Sequence, residues 1–140
     1  MVIYILSKIW ASGAKINRLP SGELNLQHHE LVDETVLKAA EPIFNEIDNY
    51  IKSVEGMKAV DLTNWKIIMF MCGWIKNDTI ENFLNNDEKA GELAFEFQAK
   101  LAVSGWKDIY TDYRQYENSV TDKLKLEIYN RAVAYAKGAK

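Results

Sequence analysis

Cysteine, proline and histidine are scarce in this chain: one Cys, two Pro and two His in 140 residues. A lone Cys72 excludes an intramolecular disulfide, and its place in an apolar run predicts burial and a blunted thiol, as suits a reducing compartment. His28 and His29 are sequence neighbours, and adjacent side chains diverge in both strand and helix. No metal site and no cofactor are expected. Long apolar runs are also missing. The longest, Ile67 to Ile75, lies between Lys66 and Lys76, and a spanning helix needs about twenty residues. The opening MVIYILSKIW has too little basic character and too short an apolar stretch for a secretory signal. The expectation is a soluble, cytoplasmic protein without a membrane partner. Positive charge is not in excess either: the net charge of −3 supplies no cationic field, which disfavours nucleic acid.

What is present is enough apolar residue, 48%, to bury a core. Val2, Ile3, Ile5, Leu6, Ile9 and Trp10 recur at spacings of three and four and predict a helix ending near Gly13. Ile16, Leu24 and Leu26 flank a Leu-Pro-Ser-Gly turn, which predicts a β-hairpin with Gly22 in a left-handed conformation. Those three residues share one face, and Lys15, Asn17, Glu23, Asn25 and Gln27 share the other. Asp33 is placed to cap a short helix, and Pro42 to open a second that carries Ile43, Phe44, Ile47, Tyr50 and Ile51 and stops at Gly56.

Beyond this point only helices are expected. Asp61 or Thr63 would cap a central buried helix over Trp65 to Ile75, with Gly73 inside it where backbones approach closely. Asp78 and Asp87 would start two more, the second with Leu93, Phe97 and Leu101 inward and Gly105 at its close. Trp106, Ile109, Tyr110 and Tyr113 suggest a further helix, and Ser119 with Asp122 the last, with Leu124, Ile128, Ala132 and Tyr135 inside. The fold class is α+β, mostly α: residues 1–56 form an αββαα module, and 57–140 a helical extension that could share its core.

The strings LSKIWASGAKI, SGELNL and LVDETVLKAAEPIFNEIDNYIKS resemble the N-terminal docking domains of modular natural-product synthetases of the TubC type. Gly13, Gly22, Leu24, Leu26, Leu31, Leu37, Ile47 and Ile51 fall at matching places, over about the first third of the chain. Pro42 and the HHE string depart from the pattern. In that family the hairpin receives a short charged peptide from a partner protein, and the domain is often a dimer. Carried over by position, the resemblance nominates Lys15, Asn17 and Arg18 on the first strand and Glu23, Asn25 and Gln27 on the second. A two-stranded ribbon has unpaired backbone groups that an extended peptide can satisfy, unless later helices cover them.

One further feature draws the eye. Glu88, Glu92 and Glu96 stand four residues apart on one helix strip, either as an ordinary solvated face or as an acidic dock for a basic partner. Residues 76–96 carry six acids against two bases and 123–140 five bases against one acid, so internal pairing is the simplest use of both. The aromatics at helical spacing read mainly as core, with at least one of Tyr110, Tyr113 and Tyr116 outside. With no reactive constellation, the function expected is non-enzymatic: a docking or adaptor protein that binds a partner protein through the hairpin face, with a homodimer implied by the resemblance. The alternative is a small phage- or mobile-element-encoded inhibitor that covers a host protein such as a nuclease.

Overall fold

The computed structural model describes residues 1–139 and divides into two compact units, Met1–Gly56 with Gly73–Ile75, and 57–72 with 76–140. It is mostly α with a single small hairpin among the described residues, as the sequence predicts. Among the described residues no helix is long and apolar enough to cross a membrane.

In the first unit α1 (Val2–Ala11) buries Ile3, Ile5, Leu6 and Ile9. Strands β1 (Lys15–Arg18) and β2 (Leu24–Gln27) pair antiparallel, with Ile16 opposite Leu26 and Arg18 opposite Leu24. The turn follows its residues. Pro20 supplies the fixed φ of the second turn position, the Gly22 N–H donates to the Leu19 carbonyl at 2.8 Å, and Gly22 itself takes φ +95°. The Leu19 N–H then donates to the Glu23 carbonyl and restores the ladder.

Helix α2 (Glu34–Ala40) starts at Asp33, whose carboxylate accepts from the Thr35 N–H at 2.8 Å. Pro42 has no N–H to continue that helix, so the chain makes a tight turn over Glu41–Ile43 before α3 (Phe44–Glu55). Ile5, Leu6, Ile9, Ala14, Val32 and Ile47 form the centre of this unit, with Ile16, Leu24, Leu26, Leu37 and Ile43 against it. Burying each such Leu or Ile contributes about 1.5–3 kcal/mol.

In the second unit α4 (Ala59–Met71) begins ahead of both expected caps. Asp61 lies in its first turn, where a carboxylate complements the helix dipole. The helix also ends early: Gly73 is outside it at φ +80°, with open space where a Cβ would sit. Its role is backbone conformation rather than close packing.

The next helices are each capped by an asparagine or aspartate. Asn77 precedes α5 (Asp78–Asn86), Asp87 precedes α6 (Glu88–Val103), and Asn118 precedes α7 (Ser119–Ala134). Asp87 is the cap expected; Asn77 and Asn118 each stand one residue before the expected start. The Asn118 carboxamide accepts from the N–H groups of Val120 and Thr121, and the Thr121 hydroxyl accepts from the Asn118 N–H.

The helix expected around Trp106 to Tyr113 does not form. Asp108 accepts from the Tyr110 N–H and Asp112 from the Arg114 N–H, local bonds that compete with a helical ladder, so only Tyr113–Tyr116 makes a tight turn. Tyr113 is buried and meets the rings of Phe97 and Trp106 edge-on. α7 packs on both α4 and α6.

Candidate functional site

The site grows from the hairpin. Because Leu19 and Glu23 share a ladder bond, alternation makes Asn17 with Asn25 and Lys15 with Gln27 the bonded pairs. The N–H and C=O groups of Leu24 and Leu26 therefore point outward from β2, and those of Ile16 and Arg18 outward from β1. Among the described residues no backbone hydrogen bond from another segment reaches either border.

Beside β2 runs a cleft of about 400 Å³ whose lining includes Leu24, Asn25 and Leu26 along the strand and Leu37, Ala40 and Phe44 from α2 and α3. Ile9, Ile16 and Ile47 also contribute to it, and His29 and Glu41 supply its charged or polar chemistry. Phe44 is 49% exposed, a large apolar surface left to solvent. Pro42 explains this position: by ending α2 it sets Phe44 at the first turn of α3, where it lines the cleft.

The residues nominated from sequence divide into three groups. Lys15, Asn17 and Gln27 are exposed, and Asn25 is half-buried and touches the cleft. Glu23 is exposed just beyond the turn, with the Ser21 hydroxyl 3.4 Å from its carboxylate.

Arg18 differs from the rest. By register it shares the face of Ile16, Leu24 and Leu26, and its guanidinium donates to Asp48 at 2.9 Å, to Glu55 at 3.1 Å and to the Gly22 carbonyl at 2.7 Å. The bonds to Glu55 and Asp48 hold its pKa above the ordinary value, and the bond from Arg18 holds Asp48 below the usual carboxylate range. Arg18 thus fastens the hairpin to α3.

Glu88, Glu92 and Glu96 are exposed along α6, and none of them takes part in an ion pair among the described residues. The internal pairing of the two charged segments is realised once, by Arg131 gripping Asp87 at 3.0 Å; Lys140 lies outside the described residues. Asp87 is held below the carboxylate range by that bond while it caps α6.

The most buried charge among the described residues is Lys125, whose ammonium reaches Asp61 at 2.7 Å and Glu117 at 2.9 Å. Burial alone would lower the Lys125 pKa, but the two carboxylates raise it. Burial raises the Glu117 pKa against the pull of Lys125. Asn64 beside it donates to the carbonyls of Val60 and Lys125 and so ties α4 to α7. Cys72 is partly buried, and burial pushes its thiol up to about 11. Among the described residues no group of His, Cys, Asp and Glu is placed to hold a metal ion.

Sequence reasoning found the β2 leucines but missed the far wall of the cleft. Leu37, Ala40 and Phe44 carry the periodicity of ordinary core positions, and nothing in that pattern tells that the two walls stand apart. Set against known proteins, the chain matches no family model, no curated protein and no solved structure.

Proposed function

We propose that this chain is a non-enzymatic interaction protein whose N-terminal unit takes up an extended segment of another protein along the border of β2. The observation that carries the reading is a juxtaposition: the outward N–H and C=O groups of Leu24 and Leu26 adjoin an apolar cleft of about 400 Å³. A strand added there would satisfy backbone groups and place alternate side chains into the cleft, the chemistry of β-augmentation. The resemblance to docking domains of the TubC type points the same way.

The cleft also describes its guest. Leu24, Leu26, Leu37, Ala40 and Phe44 favour apolar side chains two residues apart. Glu41 has no ion-pair partner among the described residues and favours a basic residue beside them. This moves the recognition surface from the polar face of the hairpin, with Lys15 and Asn17, to its β2 border.

The test is selection of linear peptides from a random display library against the full chain, repeated with Phe44→Ala. Selected peptides are expected to share apolar residues at alternate positions and to bind Phe44→Ala about tenfold or more weakly, as for an aromatic anchor. Peptides without that alternation, or indifferent to the loss of Phe44, would overturn the reading.

A further inference from the structure

A second surface lies on α6 and does not depend on the hairpin. Opposite its core-facing Leu93, Phe97 and Leu101, the helix presents Phe95, Ala99 and Ala102 in one stripe. Phe95 is 71% exposed, and Val103 at the end of the helix 84%. An exposed phenylalanine beside two alanines is a knob next to a hole. The hole is measurable: Phe95, Ala99, Ala102, Trp106 and Ile109, with the polar Gln98, Lys107 and Asp108, line a depression of about 270 Å³.

The charges flanking the stripe have a matching order. Glu96 and Lys100 are both exposed and stand four apart, yet no ion pair joins them, and neither has another partner among the described residues.

We infer that the exposed face of α6 is the interface of an antiparallel homodimer, with Phe95 of each copy seated over Ala99 and Ala102 of the other. A two-fold axis level with Gln98 and perpendicular to the helix pair achieves this, since it keeps the same flank of both helices on the same side. It sets Phe95 between the levels of Ala99 and Ala102 of the second copy. The same operation sets Glu96 opposite Lys100 of the second copy, twice. One symmetry operator thus satisfies the aromatic knob, the small-residue hole and both free charges, which is why a second copy of this chain is favoured over an unrelated partner.

Sedimentation equilibrium on the full chain tests this. The wild type is expected to be a dimer at about 100 µM and Phe95→Glu a monomer with an unchanged circular dichroism spectrum, because the side chain it replaces is already exposed. Glu96→Lys and Lys100→Glu should each weaken dimerisation about tenfold by setting like charges opposite one another, and the double swap should recover most of that loss. A monomeric wild type, or a dimer that survives Phe95→Glu, would overturn the interface and leave the stripe to a different partner. A charge swap that recovers nothing would overturn the register.

Discussion

The guanidinium of Arg18, at the turn end of β1, stands 2.9 Å from the carboxylate of Asp48 in α3. It crosses from hairpin to helix and reaches Glu55 with the same group. A residue that looks like a ligand-binding cation is therefore a brace. Arg18→Ala and Asp48→Asn should each lower the urea midpoint, and a double-mutant cycle should return a coupling that shrinks with added salt. Since Asp48 is held below its ordinary value of 3.8, its contribution is present above that pH and lost as pH falls through the lower folded value. Additive single losses would contradict the brace.

The start of α7 separates two neighbouring residues. Asn118 accepts from two backbone N–H groups, whereas Ser119 is already inside the helix. Asn118→Ala should cost about 1 kcal/mol in denaturant unfolding, and Ser119→Ala close to nothing. The reverse order would return the cap to Ser119.

Glu117 offers a pH signature. Burial raises its pKa above the ordinary 4.5, so the folded chain holds that proton more tightly than the unfolded one. Its contribution is full below about 4.5 and is lost as pH rises through the raised value. The stability of the wild type relative to Glu117→Gln should therefore fall as pH rises above about 4.5 in urea titrations. A difference that rises over this range would contradict the burial argument.

With its pKa near 11 against an ordinary 9.0, Cys72 should be alkylated by iodoacetamide at pH 8 roughly a hundredfold more slowly in the folded chain than in urea. Equal rates would mean that the thiol is not desolvated.

How much of this was legible in the residues depends on the range of the interaction. The hairpin, its Pro20–Gly22 turn, the Asp33 and Asp87 caps and the break at Pro42 are local events, fixed by dihedral limits and bonds within a few positions. The segment 106–116 went astray because Asp108 and Asp112 turn the backbone on themselves while the aromatics mimic a helical stripe. Arg18 was misplaced for a different reason: its partners are 30 and 37 residues away, beyond any periodic pattern. The cleft was hidden likewise, since Leu37 and Phe44 read as core until their distance from Leu24 and Leu26 is known.

The central claim is that an extended segment pairs with the β2 border. Backbone amide exchange, read by NMR on the isotope-labelled full chain with and without a display-selected peptide, tests it most directly. The account predicts new protection at the outward amides of Leu24 and Leu26 and shifts at Phe44 and Ala40, with Lys15 and Asn17 little changed. Protection confined to other residues, with Leu24 and Leu26 exchanging as before, would contradict it.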